Sequence, residues 1–438
     1  MQSQQNRCGN VLCIYAGSQT YTTTVFEHLD AFRKYSKHSW TYLDIQDFNH
    51  GLVTLELFDA VFLHYSVRLP FGQVSDVGLE KLRKFRGLRA LFIQDEYDGT
   101  NTVKQIINST PFDLVFSVVP KHSLGKIYPL DELPRTKFVN NLTGYVPDDL
   151  LDHVGQLTAP STRFLTIAYR GRQLPIRYGR LGQEKVAIGR YVRDYCRKHG
   201  FPCDIEWDES SRIYGEDWYR FIGSAKAMLG SESGSNVFDW DGSLQNDIEC
   251  YRKKWPKATD QDIYRDVIEK HEIDGLMNQI SPRIFEMAAA KTVMVLFEGS
   301  YSGVLEPFVH FIPLKKDFSN LDQVVGLLGN GMEVDAMAGR AYRDIILSEK
   351  YSYRLFVNMV DSELKAMFEG LELLPIADAR STILAQVKKA TQVPVKSKPP
   401  LPVLTSPFTR AVGRFVIAAW QRIPVGVRPY IKRLLGRA

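Results

Sequence analysis

Short apolar runs recur along the first 150 residues, and most are followed by a polar or glycine-containing turn and by apolar residues at helical spacing. The first run, VLCIY at 11–15, leads directly into a turn that contains Gly17, and a helical pattern follows at 25–35. A strand, a glycine turn and a helix in this order open a parallel α/β domain. The same pattern predicts buried strands at 58–64, 90–94 and 112–118, with helices at 77–85 and 102–108.

The pattern breaks near residue 145 and resumes after a polar, proline-containing segment that ends at 161. Residues 240–275 are rich in charge and aromatics and are predicted to be an insertion with one helix at 260–270. The chain is therefore predicted to be an α/β protein with two parallel-sheet halves, 1–150 and 151–350, that face a cleft and are closed by helices within 351–390. The second half has predicted strands at 164–169, from 204, and at 225–230, 292–297 and 308–314, and helices at 186–198, 321–328, 335–347 and 353–369.

The segment from Ser281 to residue 297 combines a predicted helix with a strand buried on both faces. Ser281 suits the N-cap and Pro282 the first helical position, so we expect a helix that runs to about Lys291. Arg283 then lies in the first turn, where a cation opposes the helix macrodipole. A bound anion would explain this arginine, and an exposed arginine tolerated at small cost is the alternative.

A second group of cations follows the predicted strand at 164–169. Arg170 and Arg172 stand at its end, and Lys185 is predicted to lie in the first turn of a helix that begins near Gly182. Two cationic helix starts that both follow strand ends predict a diphosphate site. Solvated basic loops are the alternative.

Further candidate ligands follow two other predicted strands. Ser233 and Gly234 lie in a turn of small residues, which lets backbone N–H groups approach an anion or a sugar, although such a turn is also ordinary. Glu286 could accept hydrogen bonds from a vicinal diol such as ribose, or it could simply face solvent. Glu298 and Gly299 follow the strand at 292–297 and are expected to face the same cleft.

Composition describes an ordinary globular protein of two domains and a tail, with 438 residues, 44% of them apolar and 24% charged. The five cysteines show neither CxxC nor zinc spacing, and their odd number argues against a disulfide framework, which favours a reducing compartment. The first ten residues lack the signature of a signal peptide, and no apolar run is long enough to span a membrane. These features predict a cytoplasmic protein.

Charge is distributed unevenly. Twelve of the 55 Lys and Arg residues follow residue 378 and none of the 50 acidic residues does, so residues 1–378 carry a net charge of −7. This argues against binding of nucleic acid by the body of the protein. Residues 391–407 are proline-rich and predict an extended linker. The segment 408–438 mixes apolar and basic residues at helical spacing, which fits either an anionic membrane surface or packing on the acidic body.

Several familiar motifs are missing. The chain has no GxxxxGK[ST] loop, no GxSxG and no HExxH, and no GxGxxG follows its first predicted strand. Nucleoside triphosphatases, α/β-hydrolases, zinc proteases and dinucleotide-dependent dehydrogenases are therefore disfavoured.

The stretch ISPRIFEMAAAKTVMVLFEG, together with HFIPLKKDFSNLDQVV, resembles the donor-binding region of bacterial glycosyltransferases of the GT-B fold, group 1 type. The resemblance implies two Rossmann-like domains, a nucleotide-diphosphate sugar as co-substrate, and neither a cofactor nor a metal. It implies that Glu286 binds the ribose, and that Arg170 and Lys185 hold the diphosphate with help from Arg283. Gly17 would let the first loop approach the donor.

The resemblance has one departure and one open point. Many relatives carry a second glutamate eight residues before the ribose ligand, and that position is Asn278 here, which leaves the stereochemical outcome open. The family often has an active-site histidine after a strand equivalent to 90–94, where this chain has Asp95 and Glu96. Either carboxylate could act as a general base or only bind a sugar, and His64 is a rival candidate.

The expected function is transfer of a sugar to a glycan or lipid-linked acceptor in cell-surface polysaccharide synthesis, by a hexosyltransferase that could be peripheral at the inner face of the membrane. A sugar-nucleotide epimerase or hydrolase of the same fold is one alternative. A non-catalytic nucleotide-sugar binding protein is another.

Overall fold

The computed structural model describes residues 8–17, 20, 23–51, 53–155, 157–374, 381–383 and 385–386. The predicted proline-rich linker and basic tail lie outside these ranges. Two parallel β-sheets, each flanked by helices, form the described part of the chain. No helix in that part combines the length and the hydropathy that crossing a bilayer requires.

The first sheet contains, within the described residues, six parallel strands in the order β2-β1-β3-β4-β5-β6. Its central strands are buried along most of their length, which explains their apolar runs. The strands are β1 (Asn10–Tyr15), β2 (Ser39–Asp44), β3 (Ala60–Leu63), β4 (Leu88–Ile93), β5 (Leu114–Ser117) and β6 (Lys137–Asn140). The helices are α1 (Thr23–Tyr35), α2 (Ile45–Asn49), α3 (Asp76–Lys84), α4 (Thr100–Ser109) and α5 (Lys121–Ile127).

The second sheet, again within the described residues, has five parallel strands in the order β11-β10-β9-β7-β8. Its strands are β7 (Leu165–Arg170), β8 (Cys203–Glu206), β9 (Ala225–Gly230), β10 (Val293–Phe297) and β11 (Phe311–Leu314). Its helices are α6 (Leu150–Val154), α7 (Gly179–His199), α8 (Glu216–Ile222), α9 (Ser243–Lys254), α10 (Asp260–Ile263), α11 (Arg283–Ala289), α12 (Leu321–Gly329) and α13 (Gly331–Ala341). The predicted class, two Rossmann-like parallel-sheet halves facing a cleft, is confirmed.

The last helix, α14 (Tyr353–Phe368), returns to the first half. Its apolar side, which includes Phe356 and Val360, packs on α1 and on one face of the first sheet. The chain therefore crosses between the halves twice, and the two crossings are hydrogen-bonded to each other. Val146 N–H donates to the Tyr351 carbonyl at 2.8 Å, and Tyr353 N–H donates to the Val146 carbonyl at 3.3 Å.

The predicted insertion forms a small helical unit with its own apolar cluster, which includes Leu244, Ile248 and Val267. The predicted helix at 260–270 is α10 continued by a π-helical turn, Tyr264–Ile268, and a 3₁₀ turn, Glu269–His271. Thr259 and Asp262 form a capping box at its start.

The segment that leads into the insertion also touches the first half. Three backbone hydrogen bonds of 2.8–2.9 Å link Asp239 and Trp240 to Tyr97, Gly99 and Asn101.

Candidate active site

Two cations of the second half lie close together at the carboxyl ends of its strands. Lys185 Nζ donates to the Glu232 carbonyl at 3.3 Å and to Ser233 Oγ at 3.2 Å. Although Lys185 keeps some solvent exposure, burial lowers its pKa to about 8, and the charge of Arg283 acts in the same direction. The nearby carboxylate of Glu184 opposes this shift but is itself held by Lys316 at 2.6 Å. Within the described residues, Lys185 and Arg283 have no ion-pair partner.

The helix starts differ from the predicted ones. α7 begins at Gly179, so Lys185 lies in its second turn and not in the first. α11 spans only seven residues, and its N-cap is Pro282, which makes no side-chain cap, instead of Ser281. Arg283 is the first residue of α11 and lies in its first turn, as predicted, whereas the prediction of a first-turn position was wrong for Lys185.

Arg283 is held in place by two contacts. One guanidinium nitrogen donates to the Arg170 carbonyl at 2.6 Å, and the guanidinium lies 5.1 Å from the ring centre of Trp218. Arg283 as a whole is an exposed residue. Arg283 is thus oriented without being neutralised.

The side chain of Arg170 is turned away from this pair, which corrects its assignment as a diphosphate ligand. It forms an ion pair with Asp204 at 2.8 Å and donates to the carbonyls of Tyr169, Asp204 and Ser211. Its guanidinium also packs on Phe221 at 4.2 Å. Because the guanidinium of Arg170 bonds to other parts of the protein, this side chain stabilises the fold. Only the backbone carbonyl of Arg170 contacts Arg283.

In the turn after β9 the backbone lies very close to a neighbouring segment of the chain, as its small residues predicted. Gly234 adopts φ +100°, and a Cβ at this position would collide with the Met277 carbonyl. Ser233 exchanges two backbone hydrogen bonds with Gln279, at 2.7 and 2.8 Å. Both residues line the cleft.

A buried carboxylate, which the sequence analysis did not single out, organises the next loop. Glu232 accepts from the N–H groups of Ser300 and Tyr301 at 3.1 and 2.8 Å, and from Asn278 Nδ2 at 2.5 Å. Gly299 permits this because a Cβ there would lie 2.6 Å from the Glu232 carboxylate. Gly299 therefore shapes the loop, and a glutamate at position 278 would place a second negative charge against Glu232.

Glu298 stands at the end of β10 with an exposed side chain, and its N–H donates to the Leu314 carbonyl at 3.0 Å. The structure thus leaves its side chain free to face a ligand.

Glu286 lies one turn after Arg283 in a nearly enclosed position. Trp218 Nε1 donates to its carboxylate at 2.7 Å. Burial raises the pKa of Glu286, while Trp218 and the charge of Arg283 lower it. Trp218 therefore contacts both residues and fixes their spacing.

Residues of both halves line a cleft cavity of about 250 Å³, among them Tyr65, Asp95 and Thr143 from the first half and Ser233, Gly234 and Pro282 from the second. Asp95 follows β4 and has φ +57°, and its carboxylate accepts from Arg68 at 3.0 Å and from the Tyr97 hydroxyl at 2.6 Å. The structure thus brings Asp95 together with the turn at 233–234.

Two other candidates are buried away from the cleft, and their assignment as general bases was wrong. Glu96 is 1% exposed and accepts a hydrogen bond from Ser117 Oγ at 2.7 Å, and burial raises its pKa to about 8. His64 is fully buried, with its ring nitrogens against His28 at 3.0 Å and Ser66 at 2.9 Å. Burial lowers the pKa of His64 far below its usual range. Neither side chain can reach an acceptor hydroxyl.

Gly17 lies at the end of β1, where a Cβ would be 2.6 Å from the ring of Tyr15 and 3.2 Å from the Asp44 carboxylate. Packing within the first half is therefore sufficient to require a glycine here.

Sequence reasoning missed a carboxylate of the first half. Glu27 projects from α1 beside Glu286, and burial raises its pKa to about 7, with the charges of Glu286 and Asp149 acting in the same direction. On an isolated amphipathic helix this position looks solvent-facing, so no local signal could have identified it.

Comparison with known proteins gave matches to solved structures only, since no family model and no curated protein matches the chain. One match is an alpha-glucosyltransferase in complex with UDP and a 13-mer DNA, with 11% identity, a TM-score of 0.49, and coverage of 83% of this chain and 100% of that one. Another is Alr3699/HepE of Anabaena in complex with UDP and glucose, with 8% identity, a TM-score of 0.48, and coverage of 82% and 100%.

A third match is TarM, with 12% identity, a TM-score of 0.37, and coverage of 71% of this chain and 55% of that one. At these identities and scores, the similarities carry no argument about the chemistry of this chain.

Proposed function

We propose that this protein is a glycosyltransferase that moves a sugar from a nucleotide-diphosphate donor to an acceptor hydroxyl. The observation that carries the proposal is the pair Lys185 and Arg283, two adjacent cations with no carboxylate partner among the described residues. Holding two like charges in a partly enclosed site costs free energy in the empty protein. A diphosphate bound between them would remove that cost.

The neighbouring groups suit the rest of such a donor. Ser233 and Gly234 offer a hydroxyl and close backbone approach beside Lys185. Glu286 could accept from both ribose hydroxyls, and Asp95 lies across the cleft where a donor or acceptor sugar would be held. When the bond between sugar and phosphate breaks, Lys185 and Arg283 would stabilise the negative charge that develops on the departing diphosphate.

The first experiment is a thermal-shift screen against UDP-, GDP- and ADP-sugars, with the free nucleotides and pyrophosphate as controls. A ligand that binds only the native state raises the melting temperature. We expect at least one nucleotide-diphosphate sugar to do so. If neither the sugars, the nucleotides nor pyrophosphate raises it, the donor-site assignment is wrong.

The second experiment follows release of free nucleotide diphosphate from the donor that binds. Release that requires an added acceptor supports transfer. Release without any acceptor supports a hydrolase, conversion of the donor to another sugar nucleotide supports an epimerase, and binding without turnover supports a non-catalytic binding protein.

We further propose a glycan or lipid-linked acceptor and a role in cell-surface polysaccharide synthesis at the inner face of the membrane, with residues 408–438 on an anionic lipid surface. Support comes from sequence alone, namely the absence of acidic residues after 378 and the apolar-basic spacing of the tail. Sedimentation with vesicles containing phosphatidylserine should be lost on deletion of residues 391–438. Unchanged sedimentation would contradict the proposed anchor.

A further inference from the structure

A large cavity in the described part of the chain lies outside the donor site. It measures about 630 Å³, which is within the range of pockets that bind small molecules. It lies between α1 and the segment 147–153, which crosses to the second half. None of the residues Lys185, Ser233, Arg283 and Glu286 lines it. A molecule bound in this cavity would therefore be distinct from the sugar donor.

Carboxylates outnumber cations around this cavity. The carboxylates that line it are those of Glu27, Asp30, Asp148 and Asp149. The two cations of the lining, Arg33 and Lys34, both form ion pairs with Asp30. The imidazole of His153 is held by Glu216 at 2.9 Å, and Glu216 does not line the cavity. The excess of negative charge attracts a cation and repels phosphates.

Glu27 is the carboxylate whose ionisation is most clearly disfavoured. It is half-buried, and within the described residues it forms no ion pair. Burial raises its pKa to about 7, and the charges of Glu286 and Asp149 act in the same direction. His153 and a hydrogen bond from Thr23 oppose this shift only in part. A bound cation would remove the free-energy cost of ionising Glu27.

A buried hydroxyl of the same cavity also lacks a partner. Tyr353, at the start of α14, is 3% exposed and lines the cavity within reach of the charge of Glu27. Within the described residues its hydroxyl makes no hydrogen bond, whereas a buried tyrosine hydroxyl ordinarily does. It is also not sealed in the core, as the hydroxyl of Tyr128 is. The Tyr353 hydroxyl is therefore free to accept a hydrogen bond from a ligand.

Aromatic rings form another part of the wall, contributed by Phe26, Tyr35 and Tyr42. Phe26 is 47% exposed, a large fraction for an apolar side chain. The ring of Tyr35 already holds a cation, since the guanidinium of Arg354 lies 5.0 Å from its centre. The face of an aromatic ring attracts organic ammonium groups. Within the described residues no group of three His, Cys, Asp or Glu could hold a metal ion, so the lining suits an organic cation.

We propose that the 630 Å³ cavity binds a small organic cation with a primary or quaternary ammonium group, with the Glu27 carboxylate as its counter-ion and Phe26 as a stacking surface. A primary ammonium group would also donate a hydrogen bond to the Tyr353 hydroxyl. This inference goes beyond the proposed function and does not depend on it, because it requires neither a nucleotide nor sugar transfer.

The test is titration calorimetry of the full chain with choline and with putrescine. The measurement is made at pH 8, where most of Glu27 is ionised because its pKa is about 7. Dimethylbutanol, the neutral molecule in which carbon replaces the nitrogen of choline, is the ligand control. We expect at least one of the two ammonium probes to bind and the neutral molecule not to bind measurably.

Substitutions at the wall separate a specific site from general attraction to an acidic protein. Glu27→Gln should weaken choline binding about 10- to 100-fold, because it removes the charge that faces the ligand. Phe26→Ala should weaken it about threefold or more, through loss of one contact between the cation and a ring. Glu56→Gln, an exposed glutamate of the same half, is the matched control and should leave the affinity unchanged. Thermal unfolding checks that each variant is folded.

The pH dependence gives a second readout, because choline keeps its charge at every pH. Its affinity for the natural protein should fall by up to about tenfold from pH 8 to pH 6, as Glu27 takes up a proton. The other titratable groups that face Glu27 are Asp149, His153, Glu286, Tyr65, Tyr219 and Tyr353. Glu27→Gln leaves all of these groups in place, so loss of most of the pH dependence in this variant would assign it to Glu27.

The outcomes that would overturn the proposal are distinct. If neither ammonium probe binds, or if dimethylbutanol binds as tightly as choline, the cavity is not a cation site. Undiminished choline affinity in Glu27→Gln at pH 8 would show that the probe binds elsewhere. If methyl glucoside or calcium chloride binds and both amines do not, the cavity takes a neutral sugar or a metal ion, and the proposal is wrong.

Discussion

Replacing Lys185 by methionine should have two effects of opposite sign, because the lysine is placed for a ligand and at a cost to the empty protein. Its pKa falls from 10.5 to about 8 in the folded state. At pH 7 the lysine is protonated in both the folded and the unfolded protein. Folding therefore moves a charge into a site that disfavours it, and the methionine variant does not have this cost. This pKa shift corresponds to a destabilisation of roughly 3 kcal/mol. Partial exposure of the lysine and the two hydrogen bonds that the variant loses reduce the expected gain in stability to about 1–2 kcal/mol.

In the ligand-free protein we therefore expect Lys185→Met to raise the free energy of unfolding by about 1–2 kcal/mol at pH 7. For a body of this size that is a rise of roughly 1–3 °C in melting temperature. The sign of the pH dependence follows from the lowered pKa. The extra stability of the variant is fully present below pH 8. It disappears as the pH rises from about 8 towards 10.5, because the natural protein then folds with a neutral lysine.

With a nucleotide diphosphate bound, the natural protein should be more stable than Lys185→Met. Loss of one charge-assisted contact to a phosphate weakens nucleotide-diphosphate affinity about 10- to 100-fold. Differential scanning calorimetry with and without nucleotide, and titration calorimetry, measure both effects. Lys198→Met, an exposed lysine at the end of the same helix, is the control and should change neither quantity appreciably. Undiminished nucleotide affinity in Lys185→Met would refute the anion site, and a clear loss of ligand-free stability would show that the lysine serves the fold.

Four other substitutions test separate parts of the structure. Glu286→Gln should weaken nucleotide-diphosphate binding about tenfold but leave pyrophosphate binding unchanged, and equal losses for both ligands in titration calorimetry would argue against a ribose contact. Arg170→Gln should destabilise the protein by about 2 kcal/mol in urea unfolding, because it breaks a partly exposed ion pair with Asp204 and the hydrogen bonds of Arg170 to three carbonyls, while donor affinity of the folded protein stays within about threefold; a large selective loss of affinity would restore Arg170 as a ligand. Glu96→Gln should remove a fall in stability that natural protein shows as pH rises from about 5 through 8, since burial raises this pKa and the charged form is disfavoured; parallel stability curves at pH 5 and pH 9 would contradict that. Gly234→Ala should destabilise by more than about 2 kcal/mol through its positive φ and the collision with the Met277 carbonyl, and a fully stable variant would show that the turn can rearrange.

The two-sheet architecture could be predicted because buried parallel strands leave continuous apolar runs, as in β4 and β10. The edge strands β2 and β6 could not, since Ser39–Asp44 and Lys137–Asn140 are only partly buried and mix polar with apolar residues. The helix α9 was also missed, because only Leu244 and Ile248 on its surface are buried.

The neighbours in the candidate site could be predicted in part, from the residue types that follow the strands. Lys185 donates to Ser233 and feels the charge of Arg283, which shares a helix with Glu286. The direction of Arg170 could not be predicted, because it is decided by Asp204, a residue of the neighbouring strand.

Glu27 lay beyond prediction for a related reason. Its enclosure comes from the opposite half of the protein and from the segment at 147–153, not from its own helix. The interaction of Glu232 with Asn278 is likewise a contact between distant parts of the chain.

The backbone pairing between residues 97–101 and 239–240 has a consequence for unfolding. The same segment buries Phe238 in the apolar cluster of the first half, and Arg177 pairs with Asp98 at 2.6 Å. Since Val146 and Ser352 also join the halves where the chain crosses, the halves are held together at two separate places. Unfolding of one half should therefore expose apolar surface of the other, and urea should unfold both halves in a single transition.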